Sequence, residues 1–119
     1  MGYDLTDVAA QAQQFAIDRD WEQFHSLKNL AMALTGEVGE LVEIIQWLSD
    51  DEICELLATS GGRSKVEEEV ADIAIYLLRI VQQTEIDLSG AIEKKLLDND
   101  SRYPAKEVRG SSAKYKEIC

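Results

Sequence analysis

Four acidic side chains in two matched pairs are the residues of this 119-residue chain whose types and spacing could do chemistry. Glu37 and Glu40 stand three residues apart, and so do Glu69 and Asp72. Each pair is set into an apolar stripe of helical period: Leu34, Val38, Leu41 and Ile45 around the first, and Val66, Val70, Ile73 and Leu77 around the second. At about 100° per residue, both acids of a pair project to the same side of the stripe, with Glu37 and Glu69 nearest its edge. Carboxylates at this spacing lie roughly 5–6 Å apart at Cβ. Their repulsion costs on the order of 3 kcal/mol at about 5 Å and an effective dielectric of about 20, and partial burial adds desolvation. An offsetting positive charge is therefore expected. Four oxygen donors with no cationic side chain at fixed spacing suit a hard divalent cation, Mg²⁺, or Mn²⁺ in its place, ahead of Zn²⁺.

A lone Glu-x-x-Glu is most often a pair of solvated surface acids. Here Ala33 and Ile44 share the angular sector of Glu37 and Glu40, so the acids interrupt an apolar surface, and the arrangement recurs at matched phase. Glu43 turns further round, toward Lys28, Gly39 and Asp50, and reads as solvated, as do Glu67 and Glu68.

The elements that must position these acids are all helical. The expected fold is one all-α domain over 1–119, a four-helix bundle type whose burial is completed by homo-oligomerisation, as a dimer or tetramer. Leu5, Val8, Ala9, Ala12, Phe15 and Ala16 mark a first helix, capped by Asp4 or Thr6 and ending near 18–20. An aromatic connection holds Trp21, Phe24 and His25, after which Ser26 caps a second helix expected over 27–48. A short helix is expected over 50–57. The stretch Thr-Ser-Gly-Gly-Arg-Ser-Lys at 59–65 reads as a linker, because it lacks the spacing of a phosphate-binding loop. A third helix follows over 64–84, and a fourth opens at Asp87 or Ser89 and ends near Asn99, with Pro104 at its exit. Aromatic residues entering a bundle pack by default. Trp47, however, falls on the acid-bearing side of the second helix, and Tyr76 shares the sector of Glu69, so with Trp21 and His25 these rings could line a flat slot beside the metal.

Composition narrows the function. The formal net charge of −11 speaks against general affinity for nucleic-acid backbones. The imbalance lies upstream: residues 1–93 carry 5 basic and 19 acidic side chains, whereas 94–119 carry 7 and 4, a basic tail from about 100. Cys54 and Cys119 are too few for a disulfide framework or a zinc site, which fits a reduced cytosol. No apolar run approaches the roughly 20 residues that span a bilayer, so a soluble, cytoplasmic protein is expected. His25 is the sole imidazole, whereas di-iron bundles use Glu-x-x-His motifs and serine or cysteine nucleophiles want a histidine at recognisable spacing. Hydrolysis assisted by hard metal ions remains, and phosphoryl chemistry is the class that uses Mg²⁺ most readily.

Glu37-x-x-Glu40 followed by Glu69-x-x-Asp72 on two helices resembles the all-α nucleoside triphosphate pyrophosphohydrolases of the MazG-like family. Arg19-Asp-Trp-Glu-Gln-Phe-His25, Gly36-Glu-Val-Gly-Glu-Leu, Gln46-Trp47, Asp72-Ile-x-Ile-Tyr76 and Arg102-Tyr-Pro104 look like the dCTP pyrophosphatase branch, over residues 5 to about 116. The resemblance implies a house-cleaning hydrolase that cleaves a nucleoside triphosphate between the α and β phosphates, giving the monophosphate and pyrophosphate. It implies that Glu37, Glu40, Glu69 and Asp72 hold magnesium, that Trp21, His25, Trp47 and Tyr76 bound the nucleoside pocket, and that Asn99 adds polar contacts. Glu40 or Glu37 is the expected proton acceptor for the attacking water. Ala12 stands where vertebrate relatives carry a histidine at the pocket edge, so the resemblance leaves base preference open. The alternative is a non-catalytic helical module whose acidic seam meets a basic partner.

Overall fold

The computed structural model describes residues 4–110, and all its regular elements are helical. They are α1 (Thr6–Asp18), a 3₁₀ turn (Glu22–Phe24), α2 (Leu27–Ile45), α3 (Asp50–Ala58), α4 (Ser60–Thr84), α5 (Leu88–Arg102) and α6 (Ala105–Val108). Cys119 and the part of the basic tail beyond residue 110 lie outside the described residues. Among the described residues, no helix is long and apolar enough to cross a membrane.

Helix α4 is the hub. It packs most extensively against α2, and less so against α1 and α3. Its partner α2 starts where Ser26 leaves the helical region and accepts from the Asn29 N–H at 3.1 Å, while Asn29 Nδ2 donates to the Phe24 carbonyl at 2.9 Å. These contacts tie the aromatic turn to the helix bearing the first acid pair.

Two sequence expectations need correction here. The second helix stops at Ile45, three residues early, because Ser49 turns extended to cap α3. Ser49 Oγ accepts from the Glu52 N–H at 3.2 Å and its own N–H donates to Glu52 Oε1 at 3.0 Å, a reciprocal capping box. The expected linker at 59–65 is instead the first turn of α4. Thr59 closes α3 and opens α4, its Oγ1 accepting from the Gly62 N–H at 3.0 Å. Gly62 is buried at this corner, and a Cβ there would lie 2.3 Å from the Leu56 carbonyl oxygen. Close approach, not looseness, explains that glycine.

At its far end α4 stops with Glu85 in the left-handed region at φ 57°, and Asp87 caps α5 through the Gly90 N–H at 3.2 Å. Helix α5 then packs only marginally against the others. Ile92, Leu96 and Leu97 stay exposed on it, Leu97 at 73%. Among the described residues the only fully buried apolar side chains are Ala16 and Leu30. A chain of this length normally encloses far more, so much of the apolar surface of the single chain remains open.

Candidate active site

The α2–α4 seam brings the two acid pairs together. Glu37, Glu40 and Glu69 each offer a carboxylate oxygen, and these three atoms lie within 4.8 Å of one another. Glu37 and Glu69 are half-buried, and the Oε2 atom of each is buried without a hydrogen-bond partner. Orphaned, desolvated carboxylate oxygens are costly unless a cation or a proton meets them.

Their acidities follow. Burial holds the Glu69 carboxyl up, to about 7 from an ordinary 4.5, and its hydrogen-bonded contacts with Glu37 and Glu40 and the charges of those two acids add to the effect. Glu37 is raised as well, chiefly by burial, with the neighbouring charges of Glu40 and Asp72 adding to it and a hydrogen-bond contact with Glu69 opposing it. A hard divalent ion reverses this balance, because it stabilises the ionised oxygens that burial disfavours. Three converging oxygens, two of them on side chains with unmet acceptor capacity, fit such an ion.

Asp72 is not part of that converging set. It lies one helical turn beyond Glu69, half-buried, and lines a neighbouring cavity of about 470 Å³. Sites for small molecules commonly span roughly 300–1,000 Å³. The cavity walls come from α1 (Ala12, Phe15, Ala16), the aromatic turn (Trp21, His25) and α4 (Asp72, Ile75, Tyr76, Arg79). Phe15 and Trp21 meet edge-to-face with centroids 5.8 Å apart, and the Arg19 guanidinium covers Phe15 at 3.5 Å. On the other side of the acids, Glu40 and Glu69 border a shallow depression with Glu43, Ile44, Lys65 and Glu68. The acid cluster thus separates an aromatic cavity from an open, charged shelf.

The structure therefore gathers Trp21, His25, Asp72 and Tyr76 around one cavity and Glu37, Glu40 and Glu69 beside it. It does not bring Trp47 or Asn99 there. Trp47 lies two residues past the end of α2 and is 86% exposed, because the helix that was to carry it in phase with the acids ends at Ile45. Asn99 is half-buried on α5, where its carbonyl accepts from the Tyr103 N–H at 2.8 Å, and α5 stands away from the cavity.

Sequence reasoning missed Arg79. It is 2% exposed and hydrogen-bonded to His25, Gln82 and Glu22. The signal was a single basic residue inside the apolar run 73–81, since a buried guanidinium must be paired. Burial, with the Arg79 charge, lowers the His25 pKa below its ordinary 6.5, against a smaller opposing pull from Glu22.

A family model described as MazG-like matches residues 33–118. dCTP pyrophosphatase 1 of Mus musculus is 41% identical over 114 residues, covering 96% of this chain and 67% of that protein. The Homo sapiens protein of the same name is 42% identical over the same length. A crystal structure of a pyrophosphatase from Archaeoglobus fulgidus superposes with a TM-score of 0.78 at 36% identity, covering 87% of this chain and 95% of that one. On a family match that takes in both acid pairs, and relatives at this identity over nearly its whole length, the chain belongs to the MazG-like family.

Proposed function

We propose that this protein is a Mg²⁺-dependent nucleoside triphosphate pyrophosphohydrolase acting on deoxynucleoside triphosphates, dCTP foremost, to give the monophosphate and pyrophosphate. The observation that carries this reading is the convergence of Glu37, Glu40 and Glu69 beside an aromatic cavity bordered by Asp72. The names of the mammalian relatives supply the substrate class.

Glu37, Glu40, Glu69 and Asp72 hold the metal. When bound, Mg²⁺ neutralises the triphosphate and lowers the pKa of a coordinated water. The protein supplies the rest. Trp21 and Tyr76 stack on the base, which enters the cavity beyond Asp72, and the phosphates lie across the seam toward Lys65. Glu40, the exposed member of the cluster, or Glu37 accepts the proton of the attacking water. A basic partner protein could reach Glu40 but not the buried Oε2 atoms of Glu37 and Glu69, which favours an ion over a macromolecular partner.

Trp47 and Asn99 complete the pocket in a homo-oligomer, a dimer or tetramer, because Trp47 is exposed and Asn99 lies on α5, which packs only marginally within the single chain. A cytoplasmic nucleotide pool is the setting this reading implies. Incubation of the purified protein with each triphosphate and Mg²⁺ tests it. Monophosphate and pyrophosphate are expected, whereas release of diphosphate and orthophosphate, or no turnover, would overturn the assignment.

A further inference from the structure

Arg79 is 2% exposed, one of the two large side chains buried to this extent among the described residues, and the chemistry above gives it no task. A guanidinium carries five N–H donors, no acceptor, and a charge it does not lose. All three of its nitrogens are engaged. Nε donates to Nδ1 of His25 at 3.2 Å, Nη1 to Gln82 Oε1, and Nη2 to Glu22 Oε1 at 3.4 Å. Glu22 and His25 are three residues apart across the 3₁₀ turn, where such positions eclipse. The turn therefore holds the guanidinium from one side. Gln82 holds it from the other and is itself anchored by donating to the Ala9 carbonyl at 2.8 Å.

This arrangement dictates the state of the histidine. Because the guanidinium only donates, the Nδ1 facing it accepts and carries no hydrogen, and a neutral imidazole with a bare Nδ1 has its hydrogen on Nε2. Among the described residues Nε2 has no protein partner, and His25 lines the cavity. We propose that Arg79 is a positioning residue that fixes His25 as the Nε2–H tautomer, so that the cavity wall offers one N–H donor to an acceptor atom of the nucleobase. The proposal rests on the reading of the cavity as a base pocket, whose other walls, apart from Gln11 on α1 and Asp72 on α4, are largely aromatic and aliphatic and offer stacking more than direction.

His25 is the only histidine, so a long-range ¹H–¹⁵N spectrum of the untagged full chain at neutral pH reports it alone. A protonated Nε2 beside a bare Nδ1 is expected in the free protein. A protonated Nδ1, or two tautomers in exchange, would overturn the proposal whether or not any triphosphate is turned over. Arg79→Met should average the two tautomers, raise KM for dCTP by about 3- to 10-fold, as one neutral hydrogen bond allows, and leave kcat within about twofold. The affinity for dCMP should fall by the same factor and inhibition by pyrophosphate should not move; the reverse pattern would place the donor against phosphate and refute the base assignment. In a His25→Gln background Arg79→Met should add nothing to KM. Should Arg79→Met not fold, His25→Phe, which removes the Nε2–H and keeps a flat ring, must raise KM for dCTP by the same factor, and wild-type KM in that variant counts against the proposal. Absence of all turnover alongside the expected wild-type spectrum would sink the functional reading alone.

Discussion

Oε2 of Glu37 on α2 and Oε2 of Glu69 on α4 are both buried without a hydrogen-bond partner, on carboxylates that converge with Glu40 to within 4.8 Å. Two helices that pack most extensively in the molecule thus meet across like charges. The apo protein keeps this seam closed only by tolerating unsatisfied acceptors or by binding a proton.

Metal should therefore stabilise the fold. At a hundredfold excess over Kd, a ligand that binds only the native state adds about 2.7 kcal/mol. Melting with and without Mg²⁺ should show a marked rise in Tm for the wild type. Glu69→Gln should melt higher than wild type in the absence of metal, because one repelling charge is gone, and should lose most of the response to Mg²⁺. A wild-type Tm indifferent to divalent ions would count against a resident metal.

The pH dependence of the metal-free protein has a definite sign. Glu69 titrates at about 7 in the folded chain against 4.5 for the free group, so between those values the native state holds more protons than the unfolded one. Stability then falls as pH rises through that window and levels off above it. Glu37, also raised, acts in the same direction. Glu52 is lowered by its hydrogen bonds to Ser49, and its contribution is lost in the opposite sense as pH falls below 4.5. Denaturant titrations across pH 4.5–7 should show this decline without metal and a much flatter profile with Mg²⁺.

Turnover should depend on each acid for its own reason. Glu40→Gln removes the exposed member of the acid cluster, proposed above as metal ligand and base, and Asp72→Asn removes the carboxylate between the cluster and the cavity. Loss of a positioned acid–base group commonly lowers rates by about 10²–10⁴. Both variants should lose at least about 10² in kcat while their far-ultraviolet circular dichroism is unchanged. Near-normal turnover by Asp72→Asn would remove it from the metal set.

The convergence of Glu37, Glu40 and Glu69 was legible because helical period alone sets Glu37 and Glu40 on one face and Glu69 on another, whereas the position of Asp72 outside that set depends on how α2 and α4 pack. The Arg79–His25 contact was not, since its partners are 54 residues apart and only the packing of α4 against the aromatic turn joins them. Trp47 falls outside α2, not in phase with the acids, because the end of that helix is decided by the Ser49–Glu52 capping box and not by the apolar stripe. Gly61 and Gly62 read as linker because glycine has poor helix propensity, whereas the close approach to Leu56 selects it.

That corner yields its own test. A Cβ on Gly62 would meet Leu56 O at 2.3 Å, Leu56 Cδ1 at 2.6 Å and Thr59 Oγ1 at 2.7 Å. Backbone oxygen cannot swing aside as a side chain can. Gly62→Ala should therefore destabilise by about 1–3 kcal/mol despite alanine's better helix propensity, whereas Gly61→Ala, with nothing within 4 Å, should be neutral or stabilising. Paired urea titrations of the two variants separate a packed corner from a loose linker, since a linker would make them alike.

Helix α5 carries the last expectation. Ile92, Leu96 and Leu97 are 49%, 62% and 73% exposed on a helix that scarcely touches the rest of the chain. A 15-residue helix without tertiary support is marginal in water, so α5 needs a surface to pack on, and another copy of the chain offers one of matching character in the exposed Val38, Val42 and Val70. Sedimentation of the wild type should give a dimer or tetramer. Leu97→Asp should shift it toward monomer, reduce helicity by about the length of α5, and depress turnover without altering the acid cluster. If that variant stays assembled and fully active, α5 is not where the copies meet and Asn99 does not reach a neighbouring pocket; a monomeric wild type with full activity would dismiss the assembly altogether.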